Sequence, residues 1–263
     1  MELAAAADAA DAAQAARAPP DPEACRVAAT VLHAPPARQP RLPTGLPAVD
    51  GALGGGLPPH QVVEVVGPPA SGKTTLCCAA SAQAAARGTV LFVETKGASV
   101  AERLQQRVAP QQGQQHVLGN VRVADVHTMD DLLLLLTQLL DTLEGGADEA
   151  GLQLLVIDCF ADLALPRVHA HPRETGLVCA ATRLLPQIAQ RLGGCVLLTN
   201  STVRGDSESE PHKAALKAIA GPSAPQLRLV LSPSGETHGV IDVHIEDAID
   251  APAGGRGTFE LGG

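Results

Sequence analysis

The 263-residue chain has no tryptophan and no tyrosine, and its only phenylalanines are Phe92, Phe160 and Phe259. The rings on which single-stranded nucleic acid usually stacks are therefore almost missing. Any core must be packed from Leu, Val, Ile and Ala, and a hydrophobic content of 45% supplies enough of them. Positive charge is also short: 19 Lys and Arg stand against 28 Asp and Glu, a formal net charge of −9. Nucleic-acid binding draws much of its affinity from phosphate neutralisation, so this balance argues against a chain that grips DNA by itself. It leaves room for a local basic loop. The six cysteines (Cys25, Cys77, Cys78, Cys159, Cys179 and Cys195) include no C-x-x-C pair, so zinc-ligand spacing is absent. Most lie in apolar runs and read as small buried hydrophobes, which fits a reducing compartment. No stretch has the length of a membrane-spanning helix. The first residues lack the basic start and long apolar run of a secretion signal, and Glu2, Asp8, Asp11, Asp21 and Glu23 argue against a transit peptide. The expectation is a soluble intracellular protein with no membrane partner.

Residues 1–41 are rich in Ala, Pro and Arg and lack large apolar side chains, so they read as a low-complexity, flexible segment. Residues 42–263 read as one core. Within it, residues 62–66, 90–94, 121–126, 152–157 and 195–199 are short apolar runs that predict strands. Residues 73–87, 99–108, 132–143 and 175–192 predict helices, the last interrupted by Pro186. Thr128-Met129-Asp130-Asp131 is a capping box at a helix start. Continuous apolar strands alternating with helices predict an α/β fold with a mostly parallel sheet covered on both faces. Residues 227–231 and 239–245 alternate, which predicts antiparallel strands added at one edge. Residues 42–50 and Gly54-Gly55-Gly56 read as a turn-rich lead-in to the first strand.

The strongest chemical signal follows the first strand. Gly67-Pro68-Pro69-Ala70-Ser71-Gly72-Lys73-Thr74, with Thr75 after it, is a G-x-x-x-x-G-K-[ST] phosphate loop that opens a helix. The glycines let the backbone wrap so that amide hydrogens point at phosphate oxygens. The helix N-terminus adds partial positive charge, and Lys73 adds a full one. Thr74 offers a hydroxyl to magnesium. The expected ligands are ATP and Mg2+. Asp158 ends the apolar run 154–157, where ligands bind in parallel sheets, and is the second candidate magnesium ligand; a helix N-cap is its alternative role. His169 and His171 read as a surface loop, because no further ligands accompany them.

Several stretches resemble one family in the same order. L-P-T-G-L-P-A-V-D-G-A-L-G-G-G-L followed by V-V-E-V-V-G-P-P-A-S-G-K-T-T-L resembles the opening of the ATPase core of eukaryotic RecA-type recombinases. V-L-F-V-E-T-K-G-A-S-V-A-E-R-L, L-L-V-I-D-C-F-A-D-L and V-L-L-T-N-S-T-V-R-G-D resemble that family's second strand, magnesium-site strand and fifth strand. Among members, the chain looks most like the D-type paralogue of the strand-exchange recombinase. The resemblance implies a RecA-like ATP-binding core that joins other recombinase paralogues in a hetero-oligomer assisting homologous recombination. It also implies a nuclear protein, and it leaves open a contact with single-stranded DNA through residues 201–224. Arg204, Lys213 and Lys217 are the basic residues there, but Asp206, Glu208 and Glu210 share the segment, and by itself it reads as a solvated loop.

The chain departs from the family pattern in its hydrolytic residues. Active members carry a glutamate in a T-E-G segment after the second strand; here the segment is Thr95-Lys96-Gly97. A charged lysine cannot act as the base toward water. Glu94 lies nearby, but strand alternation is expected to turn it elsewhere. The family's glutamine after T-N is Ser201 here. The usual helical head domain looks absent or reduced, and no phenylalanine precedes Phe92 to form the family's Phe-x-x-Ala docking peptide. These departures predict ATP binding with weak or no hydrolysis. A DNA-stimulated ATPase acting in strand exchange is the alternative. A phosphate-loop small-molecule kinase is a further one, opposed by the lack of an arginine-rich lid.

Overall fold

The structure is a computed structural model that describes residues 40–97, 100–108, 115–145, 151–168, 172–207, 210–214, 225–235, 239–248 and 254–261. The first elements are α1 (Pro47–Ala52), β1 (Val62–Gly67), α2 (Lys73–Ala85), β2 (Thr89–Glu94), α3 (Val100–Val108), α4 (Gln115–Leu118) and β3 (Val121–Asp125). Then follow α5 (Met129–Glu144), β4 (Leu152–Asp158), α6 (Phe160–Val168), α7 (Pro172–Arg191), β5 (Cys195–Ser207) and β6 (Glu210–Ala214). The chain closes with β7 (Leu227–Pro233), β8 (Val240–Ala248) and β9 (Arg256–Glu260). The described strands form one sheet in the order β3-β2-β4-β5-β1-β7-β8-β9, with β6 paired to β5. Strands β3 to β7 of that order are parallel, and β8 and β9 add antiparallel to the edge. This is the expected α/β architecture.

Period-two alternation explains how the sheet fills both faces. Leu154 and Val156 of β4 join one apolar cluster with Leu76 and Ala80 of α2. Leu155 and Ile157 join the other cluster with Leu136 of α5, Phe160 of α6 and Leu185 of α7. Phe92 and Phe160 are fully buried, one in each cluster, and the rest of the core is mainly aliphatic. Each buried Leu or Phe contributes about 1.5–3 kcal/mol of transfer free energy, so the shortage of rings is offset by number. Thr128 caps α5 as its sequence predicts, accepting from the Asp131 amide at 3.1 Å.

Some elements differ from the expectation. The lead-in contains α1, where Pro47 occupies the first helical turn and Asp50 accepts from both the Thr44 amide and hydroxyl. Helix α6, strand β9 and the pairing of β5 with β6 were not foreseen in the sequence. The segment read as a loop from residue 201 instead continues β5 to Ser207 and returns as β6. Arg204 stands opposite His212 and Val203 opposite Lys213 in that ribbon. Residues 1–39, His169, His171, Glu208 and Lys217 lie outside the described residues.

Candidate nucleotide site

The phosphate loop leaves β1 at the carboxyl edge of the sheet and feeds α2. Its first glycine is required by packing: a Cβ on Gly67 would stand 2.3 Å from Ser71 Oγ and 2.6 Å from the Leu231 carbonyl oxygen. Gly72 is required by conformation, with φ at +82 at the helix N-cap. No side chain caps α2, so its first amides keep their hydrogens turned toward the loop. Pro69 and Ala70 form the exposed crest, while Ser71 is buried beneath it. Ser71 Oγ has no hydrogen-bond partner among the described residues. An uncapped helix start and an orphaned buried hydroxyl within one loop suit a phosphate group, which supplies acceptor oxygens to both.

Lys73 Nζ donates to the carbonyl oxygens of Gly67 at 2.8 Å and Pro68 at 2.7 Å. Both acceptors are neutral, so an anionic oxygen is a stronger partner for this cation. Burial lowers the Lys73 pKa from its ordinary value of 10.5, and the nearby charge of Asp158 opposes that shift.

The second half of the site comes from the strand order. Strand β5 lies between β1 and β4. Its Thr199 donates to Asp158 Oδ1 at 2.6 Å, while Thr74 of α2 donates to Asp158 Oδ2 at 2.7 Å. The carboxylate is thus aimed at the phosphate loop from the neighbouring face of β4. A hydroxyl and a carboxylate side by side are hard oxygen donors of the kind magnesium takes, together with phosphate oxygens and water. Thr95 fixes the backbone behind Asp158: its amide donates to the Asp158 carbonyl at 3.0 Å, and its hydroxyl accepts from the Cys159 amide at 2.8 Å. Asp158 therefore aims at Thr74 instead of capping the helix that follows.

Lys96 and Glu94 flank this corner. Lys96 Nζ pairs with Asp162 Oδ2 at 2.9 Å, and their side chains are 60% and 32% exposed. The Asp162 hydrogen bond raises the Lys96 pKa. Glu94 is buried, stands in register with Asp158, and shares the parity of Phe92, which packs on the α2 side. It therefore occupies the same face of the sheet as Asp158, not a different one as alternation alone suggested: alternation separates neighbours, and the strand register decides which face each takes.

A polar group behind the site was also missed in the sequence. Asn200 Nδ2 donates to buried Glu64 Oε1 at 2.7 Å, and Arg228 Nε donates to Glu64 Oε2 at 2.8 Å. The available signal was Glu64 itself, a charge inside the apolar run 62–66. Successive residues of β5 thus serve two faces, Thr199 toward Asp158 and Asn200 toward Glu64. Among the described cysteines, Cys77, Cys78, Cys159 and Cys195 are buried, and Cys179 is exposed. Burial raises the Cys159 pKa and pushes that of Cys195 up to about 12, so both stay neutral thiols near neutral pH.

Residues 38–228 match the Rad51 family. The chain belongs to the Rad51 family. DNA repair protein RAD51 homolog 4 of Bos taurus is 29% identical over 234 residues, 84% of this chain and 71% of that protein. The Mus musculus protein of the same name is 29% identical over 184 residues, 66% of this chain and 56% of its own length. DNA repair and recombination protein RadB of Halobacterium salinarum is 40% identical over 91 residues, 34% of this chain and 39% of that protein. The Rad51-family match covers β1 to the start of β7 and so includes the phosphate loop, Lys96 and Asp158. The resemblance to RecA-type recombinase paralogues and the RecA-like fold both stand.

Proposed function

We propose that this chain is a recombinase paralogue that holds ATP with Mg2+ and works in a complex assisting homologous recombination and DNA repair. The observation that carries the reading is the 2.7 Å bond between Thr74 and Asp158, residues 84 positions apart. They are the hydroxyl and carboxylate that a phosphate-bound magnesium ion calls for. In this reading Gly67, Pro68, Pro69, Ala70, Ser71, Gly72, Lys73, Thr74 and Thr75 bind the nucleotide, Lys73 takes the outer phosphates, and residues 42–263 form the ATP-binding core. Bound magnesium would draw charge off the phosphates, and the protein's part is to hold and orient them.

The role in repair and recombination is supported by relatives named DNA repair protein and DNA repair and recombination protein. The partners are other recombinase paralogues in a hetero-oligomer, the place of action is the nucleus, and the β5–β6 ribbon is the candidate contact to single-stranded DNA. Hydrolysis is weak or absent, because Lys96 stays a cation beside Asp162 and offers no base. A DNA-stimulated ATPase is the second reading. One observation favours it: buried Glu94 lies beside Asp158 on the α2 face.

Affinity purification of the full chain tests the complex. Other recombinase paralogues should be recovered with it, and fewer should be recovered with Lys73→Ala. Recovery of none would remove the complex from the account. Equal recovery with the variant would show that nucleotide is irrelevant to assembly.

A further inference from the structure

Lys96 has no part in holding nucleotide in the reading above, yet three observations place it at the same corner. It follows Thr95, whose amide and hydroxyl hold the backbone at Asp158 and Cys159. Its charge acts on Lys73 and is itself acted on by Asp158. Its partner Asp162 lies in the first turn of α6, which begins two residues after Asp158.

The Lys96–Asp162 pair is also easy to separate. At 60% side-chain exposure, Lys96 gains little net free energy from the pair, since exposed ion pairs are worth about 0–1 kcal/mol. Asp162 does not depend on Lys96 alone, because a carboxylate in the first turn of a helix is stabilised by the helix dipole. The lysine stem is long, and its ammonium can exchange one anionic partner for another without backbone motion.

We propose that Lys96 is a specificity-determining residue that leaves Asp162 to bind the terminal phosphate of a nucleoside triphosphate. This rests on the ATP-binding reading and deepens it. A diphosphate ends one phosphoryl group earlier and leaves Lys96 on Asp162. The exchange therefore favours triphosphate over diphosphate through a charge-assisted contact that only the triphosphate completes. A lysine at this position marks the bound state and gives the chain a means to retain ATP without hydrolysing it.

The test is the affinity of the full chain for ATP and for ADP, each with Mg2+, measured by calorimetry or displacement of a fluorescent nucleotide. Lys96→Gln is expected to weaken ATP about tenfold, with ADP changed less than about twofold. Lys96→Arg should keep most of the preference. Asp162→Asn frees Lys96 and is expected to raise the ATP preference about two- to threefold. Lys73→Ala should weaken both affinities about 100-fold. If Lys73→Ala loses both nucleotides but Lys96→Gln keeps the wild-type ATP-to-ADP ratio, Lys96 has no such role and the ATP-binding reading survives. If Lys96→Gln and Asp162→Asn weaken both nucleotides alike, the pair is only a structural tether and the proposal is overturned. If Lys73→Ala binds both nucleotides normally, the ATP-binding reading fails and the proposal falls with it.

Discussion

Lys73 and Lys96 stand at the same edge of the sheet and are held in opposite ways. Lys73 sits on two carbonyl oxygens of its own loop, and burial lowers its pKa. Lys96 is more than half exposed, and its bond to Asp162 raises its pKa. The loop of Lys73 is built into the core through Gly67, which packs against Leu231, and through α2. The bend after β2 that carries Lys96 is tied by one surface ion pair and by Thr95. In the proposed reading the contrast separates two tasks: holding the polyanion falls to the packed interior, while the corner where the resemblance implies a base carries a cation at the surface.

If that contrast is right, changes on the buried side should cost far more than changes at the bend after β2. The largest effect is expected from Arg228→Ala, which leaves the buried Glu64 carboxylate with Asn200 but without its cation. Removing one partner of such a pair should lower unfolding stability by about 2–3 kcal/mol in urea melts, because the remaining charge stays desolvated. Next, Lys73→Ala should weaken nucleotide binding about 100-fold in equilibrium titrations, the loss of one charge-assisted contact to phosphate. Thr199→Val takes the hydroxyl from Asp158 Oδ1 and should cost about 1 kcal/mol of stability, read as a lower urea midpoint.

The smallest effects sharpen the comparison through pH. The Lys96 pKa is raised in the folded state, so its contribution is stabilising below 10.5 and is lost as pH rises through the folded value. The Lys73 pKa is lowered, so its contribution is destabilising below the folded value and is relieved as pH rises toward 10.5. Lys96→Met should therefore remove a loss of stability above about pH 10, and Lys73→Met should remove a gain just below it. At neutral pH, Lys96→Met should shift the unfolding free energy by no more than about 1 kcal/mol. A larger change would place Lys96 among the structural residues and erase the contrast.

The parts of this arrangement that rest on local chemistry were legible in the sequence. The phosphate loop is contiguous, and its glycines, lysine and threonine each have a local physical reason. Strands β1, β2, β4 and the first part of β5 are apolar runs because both their faces are covered, and Asp158 stands out at the end of one. What escaped depends on strand order. Thr199 matters because β5 lies between β1 and β4, and Asn200 reaches Glu64 because β5 pairs with β1. Neither neighbour is adjacent in the chain. Strand β9 was unreadable for another reason: only Phe259 is buried in it, so no alternation emerges. The continuation of β5 beyond Thr199 is polar, and its pairing with β6 supplies an order that composition did not announce.

In the proposed reading this chain holds ATP and scarcely turns it over. The most direct measurement is steady-state phosphate release beside equilibrium ATP binding, on the same full-length preparation with single-stranded DNA and partners present. Lys73-dependent binding at one site is expected, with turnover about 10²-fold or more below that of an ATPase whose base is in place. Turnover equal to that of an active recombinase, abolished by Lys73→Ala, would contradict it and point to Glu94 as the base.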